Sequence, residues 1–117
     1  MNPVLFIHFV AAIVVMLVAR PLIQRRVKPN EWYGIRVRAA YLSDEAWYEI
    51  NHYGGRWFFA WGLVLLGVAL FGLGVSKPHW SAYNVGAVCV ITFSLFTIWL
   101  KIARYARSWE NRAGGRR

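Results

Sequence analysis

The chain has 117 residues, of which 58% are hydrophobic and 17% aromatic, and its formal net charge is +9. So much apolar surface on so short a chain excludes an ordinary soluble domain and leaves room for one compact unit. The basic residues flank long apolar runs, where anionic lipid headgroups are the nearest counter-charge, so we do not expect nucleic-acid binding. A single cysteine, Cys89, excludes a disulfide framework and a paired-thiolate metal site.

Three apolar segments predict three transmembrane helices. The first covers residues 3–23 and is interrupted by His8, whereas the second, 57–76, and the third, 80–100, contain no charged residue. Each matches the roughly 20 residues that a helix needs to cross about 30 Å of hydrocarbon. The link Lys77-Pro78-His79 is short enough to force the second and third spans into an antiparallel hairpin.

Positive charge predicts the orientation of these spans. Seven Lys or Arg residues surround the loop between the first two spans, 25–56, and six lie in the C-terminal tail, 101–117. Only Lys77 falls at the opposite end. With three spans the loop and the tail share a side, and the positive-inside rule places both in the cytoplasm with the N-terminus outside.

The second span is rich in small residues, which let helices approach closely where lipid supplies no hydrophobic driving force. We expect this face to pack against the first or third span, against a second copy, or against another membrane protein. The sequence leaves these alternatives open. The small residues are Ala60, Gly62, Gly67, Ala69, Gly72 and Gly74.

The polar loop contains signals for a further helix. Ser43 is a predicted N-cap, with Asp44 and Glu45 in the first turn, where carboxylates favour the positive end of the helix dipole. A short helix over about 44–53 follows, and Gly54-Gly55 permits a bend before the second span. The predicted fold is therefore an all-α integral membrane protein with three transmembrane helices and a short interfacial cytoplasmic helix between the first two.

A longer pattern runs through the same loop. It contains, in order, Lys28-Pro29-Asn30, Tyr33-Gly34-Ile35-Arg36, Ser43-Asp44-Glu45-Ala46-Trp47, Asn51 and Gly54-Gly55. This order and spacing resemble the core signature of the SdpI family of bacterial membrane proteins, over about residues 28 to 56 by motif and over the next two spans by hydropathy. Two features depart from the family: Ile35 stands where an aromatic residue is commoner, and the family's immunity protein has extra N-terminal spans.

The resemblance implies a non-enzymatic protein of the bacterial plasma (inner) membrane. The family's named member protects a bacterium from a secreted killing peptide and holds a transcriptional repressor at the membrane. We therefore expect immunity or membrane signalling by binding of a peptide toxin or a membrane-protein partner, besides contact with anionic lipid headgroups. The alternative is a small accessory subunit packed into a larger membrane complex. An accessory subunit should purify only with its complex, whereas an immunity protein should be stable alone.

Seven loop residues form the predicted ligand- or partner-binding site. Arg36 offers a guanidinium, Asn51 an amide and Trp47 an indole, groups that suit a phosphate or a peptide carboxylate. The structural alternative is that Arg36 pairs with Glu45 or Glu49, that Asn51 caps backbone groups and that Trp47 is an interfacial anchor. The complete set is Asn30, Tyr33, Gly34, Arg36, Trp47, Asn51 and Gly54.

No catalytic residues, metal site or cofactor are predicted, because the sequence lacks a Ser-His-Asp set, a phosphate loop and an acidic pair within a span. The histidines at positions 8, 52 and 79 are too scattered to form a metal site. A polar group in hydrocarbon is usually buried against a partner, so we expect His8 to bond to Asn84, Thr92 or Ser94 of the third span.

Overall fold

The computed structural model describes residues 1–115, whose regular structure is entirely helical. The long helices are α1 (Val4–Ile23), α2 (Asp44–Gly72) and α3 (Trp80–Gly115), and single 3-10 turns lie at Arg38–Tyr41 and Lys77–His79. All three long helices are apolar and long enough to cross a membrane. The predicted fold class, an all-α protein with three spans, is confirmed. The last two residues of the predicted tail, Arg116 and Arg117, lie outside the described part of the chain.

Helix α1 ends in a sharp reversal that starts the loop. Arg25 has a φ of 56°, in the left-handed region, and its amide donates to the Leu22 carbonyl at 3.2 Å. The Arg26 amide donates to the Pro21 carbonyl at 3.1 Å. This pair of bonds is the Schellman arrangement, which satisfies carbonyls that the helix end would otherwise leave without donors. The chain therefore turns back over the end of α1.

Helix α2 runs without interruption from Asp44 to Gly72, so residues 44–53 are its first turns and not a separate interfacial helix. The Ser43 hydroxyl caps it as predicted, accepting the Ala46 amide at 3.0 Å. Gly54-Gly55, where the sequence permits a bend, lie within this continuous helix, and both glycines serve close packing. A Cβ on Gly54 would lie 2.0 Å from Cδ1 of Ile35, and one on Gly55 would lie 3.1 Å from Cβ of Leu22.

Helix α2 also carries most of the packing between the spans. A Cβ on Gly62 would lie 2.5 Å from Cγ of Met16, and one on Gly72 would lie 2.4 Å from Leu5 and 2.6 Å from Tyr83. The small residues of α2 thus let α1 approach closely, which is the first of the alternatives left open by the sequence. A Cβ on Gly67 would instead meet no atom of another described segment within 4 Å.

Two buried polar residues, Asn2 and His8, lie near the N-terminus of α1, at the end of the bundle away from the loop. Asn2 is buried and donates to the Asn84 side chain at 2.8 Å. His8 is 9% exposed, yet its Nδ1 has no hydrogen-bond partner among residues 1–115. The bond expected from His8 to one of three residues of the third span is absent there. Asn84 instead binds Asn2, Ser94 accepts from Trp61 at 3.1 Å, and Thr92 is exposed.

A small core lies at the loop end of the bundle, where α3 continues to Gly115, well past the predicted span boundary at 100. Ile102 and Ala106 of α3 face the loop, and the Tyr105 ring stacks on Tyr53 with centroids 4.1 Å apart. The loop and the second half of α3 therefore share one end of the molecule. The buried members of this core are Ile35, Ala39, Ala40, Ala46, Trp47, Ile50, Ile98, Ile102 and Ala106.

Candidate functional site

Asn51 fastens the loop to α2. Its side chain is almost fully buried, and Oδ1 accepts the backbone N–H of Ile35 at 2.5 Å. Its Nδ2 donates to the Ile35 carbonyl at 3.3 Å and to the Trp47 carbonyl at 2.9 Å. The amide thus satisfies both polar backbone groups of a buried loop residue, which would otherwise be costly to leave without partners. Asn51 positions the loop and is not exposed to a ligand.

Trp47 and Gly34 complete this attachment. Trp47 is fully buried and donates from Nε1 to the Val27 carbonyl at 2.8 Å, so it is a core residue and not the interfacial anchor that was one alternative. Gly34 has a φ of 114°, a conformation that L side chains rarely adopt. A Cβ there would also lie 2.8 Å from Asn51 Oδ1 and 3.2 Å from the Trp47 ring. Only glycine suits this position.

Asn30 shapes the start of the loop. Its Oδ1 accepts the amides of Trp32 and Tyr33, both at 2.7 Å, and its Nδ2 donates to the Lys28 carbonyl at 2.7 Å. Asparagine commonly closes turns in this way. The Tyr33 hydroxyl then donates to the Val18 carbonyl of α1. Burial raises the pKa of Tyr33 above its ordinary value, so the hydroxyl stays protonated and remains a donor.

Arg36 differs from the other predicted site residues because it is exposed. Its guanidinium donates to the Glu31 carbonyl and, among the described residues, has no carboxylate partner. The pairing with Glu49 that was one alternative does not form, because Glu49 binds Arg25 at 3.0 Å. A guanidinium has five N–H donors, so most of those on Arg36 are available to a ligand.

Trp32 is a second exposed residue of the loop, and the prediction missed it. Its side chain is 89% exposed, the highest value among the large apolar residues of the described chain. It borders a groove of about 340 Å³ between α1, α2 and the loop. Its position beside the Tyr33-Gly34 motif could have marked Trp32 as part of the site. The groove residues of α1 belong to no motif, so the sequence could not have marked them. The groove is lined by Val14, Val15, Val18, Ala19, Leu22, Trp32, Tyr33, Gly34, Ile35, Phe58 and Trp61.

The predicted site residues therefore fall into two groups. Asn30, Tyr33, Gly34, Trp47, Asn51 and Gly54 hold the loop in place, and Arg36 is displayed on it beside Trp32. Among the described residues no cluster of His, Cys, Asp or Glu has a geometry that would hold a metal ion. The arrangement offers a cation and an aromatic surface for binding.

Comparison with known proteins covers this same region. A model of the SdpI/YfhL protein family matches residues 26–102. No curated protein and no solved structure matches the chain. The matched segment begins just after α1 and ends at Ile102, so it contains residues 26–43 of the loop, all of α2 and α3 as far as the first of its two buried residues that face the loop. Because this match spans well over half of the sequence, the chain belongs to the SdpI/YfhL protein family.

Proposed function

We propose that this protein is a non-enzymatic, immunity-type membrane protein whose loop binds an antimicrobial peptide or a membrane-protein partner. The observation that supports this proposal is the exposure of Trp32 and Arg36 on a loop that six other residues hold in place. A loop ordered in advance loses less conformational entropy when it binds. Family membership supports the same class of function.

The two exposed side chains suit complementary parts of a peptide. The Arg36 guanidinium matches a carboxylate, including the C-terminal one of a peptide, through paired hydrogen bonds. The Trp32 indole supplies a large, rigid apolar surface, and tryptophan and arginine are enriched among residues that dominate binding energy. Asn51 and Trp47 act through the loop and not by contact with the partner.

The proposal places the protein in the bacterial inner membrane with the N-terminus outside and the loop in the cytoplasm. To test the orientation, single cysteines at His79 or Gly114, both exposed, are introduced into a Cys89→Ala background. We expect a membrane-impermeant maleimide to label position 79 in intact cells and position 114 only after lysis. Labelling of position 114 in intact cells would reverse the orientation.

The binding role is tested by survival of a peptide-sensitive bacterium that expresses the chain. We expect the parent to protect the cells. Trp32→Ala or Arg36→Ala should lower the highest peptide concentration that the cells survive about tenfold, which corresponds to a loss of about 1.4 kcal/mol of binding free energy. Arg38→Ala is the matched control, since it changes another exposed arginine of the same loop. Membrane levels of all variants are compared by blot. Equal protection by the Arg36 and Arg38 variants would contradict a binding role for Arg36.

The accessory-subunit alternative is favoured by one different observation. A Cβ added at Gly67 of α2 or at Gly86 of α3 would meet no atom of another described segment within 4 Å, and both glycines line an open apolar groove between these helices. Small residues exposed to lipid let a helix of another protein approach closely. Failure of the parent to protect, together with co-purification of one stoichiometric membrane partner, would support this alternative.

A further inference from the structure

We propose that the groove beneath the loop binds one acyl chain of an anionic phospholipid, whose phosphate is held by Arg36. This site shares Trp32 and Arg36 with the proposed peptide-binding surface, but it goes beyond the proposed function because its ligand is a lipid and not a peptide or protein. Five of the eleven residues that line the groove lie in α1, which precedes the residues matched by the family.

The lining of the groove supports an acyl chain. Its walls come from the last turns of α1 and from Phe58 and Trp61 near the loop end of α2, all within apolar spans. Its rim is open, with Val14 51% and Val18 46% exposed. An unfilled space of this size would forfeit the dispersion contacts of its lining. In the hydrocarbon of a bilayer, lipid acyl chains surround the groove and can fill it.

Trp32 fixes the depth of the groove mouth. A tryptophan that is 89% exposed is poorly suited to bulk water but well suited to the headgroup layer, where its ring is half in hydrocarbon and its N–H is hydrated. Trp32 lines the groove as well as projecting from the loop. The groove therefore opens where the headgroup and the first carbons of a lipid chain lie.

The charge around the mouth favours an anionic headgroup. Ile35 lines the groove, and the next residue is the exposed Arg36 with its unused donors. From residue 25 to residue 42 the loop carries five basic residues and one acid, Glu31. A guanidinium forms paired hydrogen bonds with a phosphate group. The surplus of positive charge selects a lipid with net negative charge over a zwitterionic one.

Native mass spectrometry of the purified protein in detergent tests the proposal, with equal amounts of phosphatidylglycerol and phosphatidylcholine added. Val14→Trp fills the groove, and Ile13→Trp is the matched control because Ile13 is also 51% exposed but does not line it. We expect the parent and Ile13→Trp to retain one phosphatidylglycerol, and Val14→Trp to retain it at least about tenfold less. We expect Arg36→Gln, but not Arg38→Gln, to abolish the preference for phosphatidylglycerol over phosphatidylcholine.

Several outcomes would overturn the site. Equal retention of phosphatidylglycerol by Val14→Trp and Ile13→Trp would show that the lipid binds elsewhere. Equal binding of phosphatidylglycerol and phosphatidylcholine by the parent would show that Arg36 does not select an anionic headgroup. A protein dimer that Val14→Trp dissociates would assign the groove to a second copy. If Val14→Trp loses protection against the peptide but retains lipid as the parent does, the groove binds the peptide. If the parent fails to protect but shows the expected lipid binding, the proposed function is refuted and the lipid site stands.

Discussion

Replacement of Asn51 by alanine is expected to lower the free energy of unfolding by about 3 kcal/mol, because two buried backbone groups lose their partner at once. The N–H and the carbonyl of Ile35 both bond to the Asn51 side chain, and Ile35 itself is buried. The measurement is reversible unfolding in mixed detergent micelles, followed by tryptophan fluorescence.

Two further variants distinguish lost hydrogen bonds from general damage. Asn111→Ala removes an exposed asparagine from α3 and is expected to change stability by less than about 0.5 kcal/mol. Asn51→Asp keeps the size and the acceptor but buries a charge, which raises its folded-state pKa above the ordinary value of about 3.9. Its stability should therefore be greatest below that value and fall as pH rises through the folded-state pKa. An Asn51→Ala variant as stable as the parent would refute the attachment described here.

The sequence was most informative where local chemistry decides structure. Uncharged runs such as 80–100 predicted the spans, because the thickness of hydrocarbon fixes the length of an apolar helix. Ser43 predicted the start of α2 because its hydroxyl caps a helix three residues ahead. The loop motif placed Asn30, Gly34 and Asn51 in one candidate binding site, but it did not distinguish residues that hold the loop from residues displayed on it.

The remaining features depend on contacts between distant segments. The ion pair of Arg25 with Glu49 follows from the left-handed turn that ends α1, which no local pattern of basic and acidic residues reveals. Paired glycines weaken a helix, so Gly54-Gly55 permits a bend by local criteria, and nothing local shows that Ile35 and Leu22 occupy the space left by the missing side chains. Burial of this kind becomes visible only in the folded molecule.

Replacement of Gly54 by alanine is expected to lower the free energy of unfolding by about 2 kcal/mol, even though alanine favours helices by about 1 kcal/mol over glycine. The new Cβ would lie 2.0 Å from Cδ1 of Ile35 and 3.3 Å from Cδ1 of Ile102. Ile35 is buried and lies against Ile102 in the loop core, so its end has little room to move away. Gly67→Ala in the same helix meets open space and should be neutral or stabilising.

A second substitution tests whether this clash is the cause. Valine lacks the Cδ1 atom of isoleucine, and the remaining Cγ1 of Ile35 would lie 3.4 Å from the new Cβ, an ordinary contact. Ile35→Val alone should cost about 1 kcal/mol by leaving a small cavity. In the Gly54→Ala protein the same change should instead restore about 1 kcal/mol, because the alanine methyl occupies the space that Cδ1 leaves. Additive losses in the double variant would mean that Gly54 is required for a reason other than its contact with Ile35. Restored stability would show that Gly54 is required because Ile35 of the loop packs directly against α2 at this position. The same contact would then help to fix the positions of Trp32 and Arg36 on the loop.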